Sequence, residues 1–243
     1  MKRSLFPAFS YALLSLAGLT WGTPSKAAFV IYSGYDDPRG TLANSTAAFN
    51  AFTATLSDYG VDTLESYGHL SPDPTLSFGS TGITAQTDFN FVASISLYAV
   101  SGSKILYDAG PGSPGGAAVD DTFTFNTPIT AFGTYISNAG SDAQANTITF
   151  IFENTVLGTS KSFSLPPLGP NRSGTNALFF GVTDTDPFDK ITVRESFDYD
   201  GILLDNITAG YVAVVPEASS LAMISTLVGL AGIVAWRRKD RTT

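Results

Sequence analysis

Thr122-Phe123-Thr124-Phe125-Asn126-Thr127-Pro128-Ile129-Thr130-Ala131-Phe132-Gly133-Thr134-Tyr135-Ile136 is rich in β-branched and aromatic residues on either side of an Asn-Thr-Pro turn cluster. Successive side chains of a strand point to opposite faces, so this period of two predicts half-buried strands at 122–125 and 131–136. The pattern spreads outward in both directions. Segments 61–65, 83–91 and 94–100 lie before it, and 147–152, 177–182, 190–193 and 202–212 lie after it, separated by turn formers. Phe29-Val30-Ile31-Tyr32 reads as a first strand, ending at the turn-rich Gly34-Tyr35-Asp36-Asp37-Pro38. One helix interrupts the series. Phe49, Phe52, Leu56 and Tyr59 share one helical face, Asn44, Ser45 or Thr46 can cap its start, and Gly60 can end it. Many short strands and a single helix predict an all-β fold: one antiparallel β-sandwich of the jelly-roll type with one short N-terminal helix.

The two ends of the chain differ from this middle. Lys2 and Arg3 precede an apolar stretch from Leu5 to Trp21, and Ser25-Lys26-Ala27 offers small residues at −3 and −1 of a cleavage site. That layout predicts a signal peptide over 1–27, cut after Ala27 or after Ala28, with the general secretion machinery as its reader. At the other end stand Val215-Pro216-Glu217-Ala218-Ser219-Ser220, an uncharged run from Ala218 to Trp236, and the basic cluster Arg237, Arg238, Lys239 and Arg241. The run of 218–236 spans roughly 28 Å as a helix, enough for a bilayer core, and the basic cluster holds its end in the cytoplasm.

This three-part tail, 215–243, resembles the PEP-CTERM sorting signal of bacterial exported proteins, a segment also labelled an ice-binding protein C-terminal domain. Val215, Pro216, Glu217, Ser219 and Ser220 match the motif, and Ala218 stands where a second proline is usual. The resemblance implies an exosortase as processing partner and an inner-membrane intermediate before delivery to the cell surface or the medium. Strand landmarks in the middle, Thr124 to Gly133, Phe179-Phe180-Gly181-Val182 and Ile202-Leu203-Leu204-Asp205-Asn206-Ile207, resemble those of PEP-CTERM ectodomains with lectin-like jelly rolls. Literal ice binding is set aside, since the domain lacks regular Thr-x-Thr repeats.

Between the ends, residues 28–214 are long enough for one domain and strongly acidic. They hold 19 of the 21 Asp and Glu residues but six of the 13 Lys and Arg residues, a balance near −13 where the whole chain carries −8. Such a field repels nucleic acid, which is excluded as a partner. The chain has no cysteine, so disulfides, thiol catalysis and Cys-based zinc sites are excluded. Both tryptophans, Trp21 and Trp236, belong to the ends, leaving tyrosines such as Tyr35, Tyr67, Tyr107 and Tyr199 as loop-side candidates for a sugar-binding rim.

Catalytic signatures are lacking. His69 is the single histidine, set in a turn without a Gly-x-Ser-x-Gly elbow anywhere, and reads as a solvated loop residue. The glycine-rich 108–116 run has no following Lys-Ser/Thr and is a loop, not a phosphate cradle. No enzymatic activity is expected. Calcium is the one cofactor the residues suggest, as a structural ion. Lectin-like jelly rolls often hold one between an early and a late strand, which on this chain implies Glu65, Asp205 and Asn206. An alternative is the carboxylate-dense turn Asp184-Thr185-Asp186-Pro187-Phe188-Asp189, with Asp198 and Asp200 as a further pair. The expected role is that of an exported, non-catalytic surface or extracellular-matrix protein, structural or adhesive and linked to exopolysaccharide. The alternative is a carbohydrate-binding, lectin-like module, calcium-dependent in one form, and a secreted hydrolase ranks below both.

Overall fold

The computed structural model describes residues 29–37, 40–108, 120–137, 147–165, 176–195 and 202–213, all within the unit Ala27–Val215. The strands in chain order are β1 Val30–Asp36, β2 Leu56–Asp62, β3 Thr75–Ser77, β4 Thr84–Thr87, β5 Phe91–Ser94, β6 Lys104–Tyr107, β7 Asp120–Ser137, β8 Ile148–Asn154, β9 Thr159–Ser164, β10 Ala177–Glu195 and β11 Leu203–Val212. One α-helix, α1 Ala43–Thr53, joins β1 to β2. The signal segment 1–27 and the tail 215–243, with Val215, Pro216, Glu217, Arg237, Arg238, Lys239 and Arg241, lie outside the described residues. So do Asp198, Tyr199 and Asp200. Among the described residues no helix is long and apolar enough to cross a membrane.

Every strand pairing is antiparallel, and two long strands build the sandwich by bending from one layer into the other. In the first layer, 177–183 of β10 pairs with β1 and with 131–137 of β7, which pairs with β11; β11 in turn carries β2 and β6, and β6 carries β5. In the second layer, 120–125 of β7 lies between β4 and 190–194 of β10, flanked outward by β3 on one side and by β8 and β9 on the other. The bends fall at the register shifts around Phe188, next to Pro187 on β10 and facing Ile129 beside Pro128 on β7. Proline removes a ladder donor and fixes φ, so a strand carrying it bends or bulges there. The expected turns at 126–130 and 184–189 are therefore bends within continuous strands. The sequence marks the break in regularity, and pairing carries each strand through it.

The core lies between the layers. Phe132 and Phe180 of the first layer meet Phe123 and Phe150 of the second, with ring centroids 4.4 Å apart for Phe150–Phe180 and 5.4 Å for Phe123–Phe132. The outer face of the first layer is also covered. Phe52 of α1 packs on Phe179, Tyr135 and Ala131, and Gly133 and Gly181 lie opposite each other beneath it. A Cβ on either glycine would stand about 3 Å from the Phe52 and Phe179 rings, so the absence of a side chain lets α1 settle on the sheet. The α1 start is capped from a distance. Leu42 takes a left-handed φ of 55° with no side-chain cap, and Asp36 at the end of β1 accepts from the Asn44 and Ser45 amides at 3.0 and 2.8 Å.

The helix ends earlier than its apolar spacing predicts. Leu56, Tyr59 and Gly60 belong to β2, whose ladder with β11 claims them, and a Cβ at Gly60 would strike the Phe78 carbonyl. Pairing between distant strands has overridden a local 3.6-residue spacing.

Candidate functional site

Glu65, Asp205 and Asn206 do come together, on the turn between the 95–98 segment and β6. Asp205 sits on the outer face of β11 at a bulge, fully buried, with its Oδ2 accepting from the Val100 and Ser101 amides at 2.6 and 3.0 Å. Asn206 takes a left-handed φ of 48° and its Oδ1 accepts from the Ser101 hydroxyl at 2.7 Å. From below, Glu65 Oε1 accepts from the amides of Ser103 and Lys104, both at 2.8 Å. The Lys104 ammonium caps the Glu65 and Tyr67 carbonyls. The two carboxyls respond in opposite senses. The Ser103 amide is the largest influence on Glu65 and holds it below the usual carboxylate range, while burial pushes Asp205 up to about 6 against the pull of three amides. This donor set is a hydrogen-bonded clamp on the 100–104 turn. A cation at the same place would have to draw those oxygens away from N–H groups. Among the described residues no group of three or more His, Asp or Glu side chains is placed to hold a metal ion.

Asp184 and Asp186 stay together, and Asp189 parts from them. They lie on the bend of β10, where Lys161 of β9 bridges Asp184 at 2.6 Å and Asp186 at 2.9 Å. Asp189 turns to the β8–β9 hairpin and accepts from the Thr155 amide and hydroxyl at 2.8 and 2.6 Å. Burial opposes the charge on Lys161, but the two aspartates outweigh it and raise its pKa. The Lys161 ammonium also stands 5.9 Å from the Phe29 ring centroid. Around it is a small, open depression lined by Asn154, Thr159, Ser160 and Lys161 with Asp184 and Asp186. Its lining mixes hydroxyl, amide and ion-paired groups with the apolar surfaces of Phe152, Pro187 and Phe188.

Among the described residues, Tyr35, Tyr67 and Tyr107 do not form a rim. Tyr35 and Tyr67 pack against the main core, Tyr107 packs on Phe91 at 5.3 Å, and the Tyr67 hydroxyl donates to Asp62 Oδ2 at 2.7 Å. His69 is exposed, with its Nδ1 accepting the Ser94 amide at 3.2 Å.

Comparison with known proteins adds a likeness of layout. No family model matches the chain, and no curated protein matches it. Among solved structures it is similar to the K2 cleaved adhesin domain of Lys-gingipain, at 16% identity over 63% of this chain and 99% of that one, with a TM-score of 0.38. It is also similar to a family 61 carbohydrate-binding module in complex with β-1,4-galactotriose, at 13% identity over 60% of this chain and 95% of that one, TM-score 0.33. A family 29 carbohydrate-binding module aligns at 12% identity over 76% and 91%, TM-score 0.29. At such identities and scores, the ligands of those proteins say nothing about this one.

Two buried carboxyls escaped the sequence reading. Asp108, at the end of β6, and Asp121, at the start of β7, are both almost fully buried and interact with each other. Burial first, then the charges of Asp108 and Asp88, push Asp121 up to about 8. Asp121 looked like one acid among many in an acidic chain. Its alternation with Phe123 and Phe125, which face the core, was the available signal.

Proposed function

We propose that this chain is an exported, non-catalytic protein of the bacterial cell surface or extracellular matrix, whose β-sandwich serves a structural or adhesive role among extracellular polysaccharides. The observation that carries it is the pairing of a secretion-type N-terminus with the tail Val215-Pro216-Glu217, the 218–236 run and the basic cluster Arg237 to Arg241. In this reading translocation stops at the C-terminal helix, the basic cluster stays inside, and an exosortase acts near Pro216-Glu217. The test is intact mass in membrane and extracellular fractions, from cells with and without their exosortase. A species lacking both ends, found outside only when the exosortase is present, supports the reading. A membrane-bound species that keeps 216–243 in both strains overturns it in favour of a plain anchor.

A second reading, a carbohydrate-binding module, is favoured by the depression beside Lys161, where hydroxyl and amide groups stand next to the apolar surfaces of Phe152, Pro187 and Phe188. Thr159→Arg, at an exposed lining position outside the Lys161–Asp184 ion pair, would then weaken retention on a polysaccharide while leaving the melting temperature nearly unchanged.

A further inference from the structure

We infer that the outer face of the second layer is the surface on which this protein holds a neutral polysaccharide chain. This rests on the reading of the protein as a partner of extracellular polysaccharide and names the surface involved. Strand registers place its outward side chains in three rungs. Thr75, Gln86, Thr124, Lys190, Glu153 and Ser160 are consecutive partners across six strands. Thr122, Thr192, Ile151 and Ser162 form the second rung, with Thr192 buried beneath its neighbours, and Asp120, Arg194, Thr149 and Ser164 the third. Strands about 4.8 Å apart make this a regular hydrogen-bonding plane.

Three observations choose the occupant. First, the plane is electrically balanced inside an acidic domain. Arg194 grips Asp120 through two bonds of 2.6 Å and Lys190 lies 3.4 Å from Glu153, so both bases on the rungs are already matched. Asp88 at the rim is held by the Thr122 hydroxyl at 2.9 Å. An anionic polymer finds no spare cation on these rungs, whereas an uncharged, hydroxyl-rich one meets groups of its own kind. Second, the hydroxyls are ordered in advance. Thr75 donates to Gln86 at 2.8 Å, and Thr149 and Ser164 share a bond of 2.8 Å, which lowers the entropy lost when a ligand is bound. Third, the exposed large apolar residues Val30, Tyr59, Leu70, Leu97, Val156 and Leu157 all lie off these rungs. Protein interfaces are anchored by buried aromatic and apolar side chains, and this plane offers only the half-buried Ile151. The outer face of the first layer, by contrast, is covered by α1 and the Asp205 clamp.

The test is affinity electrophoresis of the full-length chain in neutral detergent, through native gels containing hydroxyethyl cellulose, glucomannan or dextran. Ser162→Arg and Thr124→Arg each place a bulky cation on the plane, on two different strands, so one remains decisive if the other disturbs its strand. Retardation of the unaltered chain and of Thr159→Arg in at least one gel, weakened about tenfold or more by the arginine variants on the rungs, is the expected result. Retardation that survives both arginine variants overturns the assignment of the surface while leaving a polysaccharide partner in place. Loss in Thr159→Arg alone moves the contact to the depression and overturns the assignment of the plane. No retardation in any gel overturns the surface, while the mass and fractionation result stands or falls separately.

Discussion

Asp108 and Asp121 place two carboxyls in the interior where ionising both would set like charges side by side without water. The folded state keeps the Asp121 proton up to about pH 8, whereas an unfolded chain releases it near the ordinary 3.8. The unfolded state therefore binds fewer protons across this window, and stability falls as pH rises from about 4 to 8, then levels. Asp205, raised to about 6, adds to the lower part of the same slope, so the interval from pH 6 to 8 isolates Asp121. Asp121→Asn should flatten the fall of melting temperature across that interval and raise the temperature itself at pH 8. An unchanged slope in the variant would remove the carboxyl pair as its cause. A second prediction concerns Glu65, which holds two turn amides from an exposed position. Glu65→Ala should cost about 1 kcal/mol, the scale of a lost carboxylate cap. Because its oxygens are already met by N–H groups, the melting temperature of the unaltered chain should not change between calcium and chelator. A rise with calcium that disappears in Glu65→Ala would show those oxygens turning to a cation instead.

Elements carry the next level of the argument, and α1 is the clearest case. Its existence was legible from Phe49 and Phe52 at helical spacing, but its start and end were not. The cap is Asp36, distant in sequence and placed by the fold, whereas the helix's own Asn44 and Ser45 donate to it. The end is set by β2 pairing with β11, a contact between residues some 150 positions apart (Tyr59 with Gly210, for example) that no local window contains. Asp36→Ala should destabilise the domain by about 1–2 kcal/mol, read as faster amide exchange in α1 ahead of the sandwich strands. Gly181→Val should have a related effect by another route: its side chain would meet the Phe179 and Phe52 rings and lift α1, costing about 1–3 kcal/mol. Exchange in α1 no faster than in β10 would show that the helix is held by something other than this cap and this floor. The strand pattern was read more faithfully. The apolar half of the alternation in 122–125, 131–136 and 177–182 reached the core as expected, but the strand expected at 94–100 is a turn that leaves Leu97 exposed, and β9, with its Thr-Ser-Lys-Ser-Phe-Ser sequence, gave no strand signal because an edge strand buries little on either side. The candidate ligands split on the same principle. Glu65, Asp205 and Asn206 met because an early and a late segment converge on one turn. Asp184, Asp186 and Asp189 were neighbours in sequence, but the bent strand kept the first two together on Lys161 and turned Asp189 away to Thr155.

At the scale of the whole molecule, charge links the folded domain to its export. The chain from end to end carries −8, but 28–214 carries near −13, because the two ends hold seven of the 13 basic residues and only two of the acidic ones. Loss of both ends therefore makes the protein smaller and more acidic at once, and the two changes are separable. Two-dimensional gels, focusing first and sizing second, should show the extracellular species shifted below the focusing position of the precursor, whose sequence pI is about 4.4. Removal of the N-terminal segment alone takes away Lys2, Arg3 and Lys26, while removal of the tail takes away Arg237, Arg238, Lys239 and Arg241 along with Glu217 and Asp240. Each cut thus moves the spot by its own step, three positive charges for the first and two for the second. In cells without an exosortase only the first step should appear, and the spot should stay in the membrane fraction. A single extracellular spot at the position of the first step alone would mean that the protein leaves the membrane with its tail attached, and sorting by tail removal would have to be abandoned.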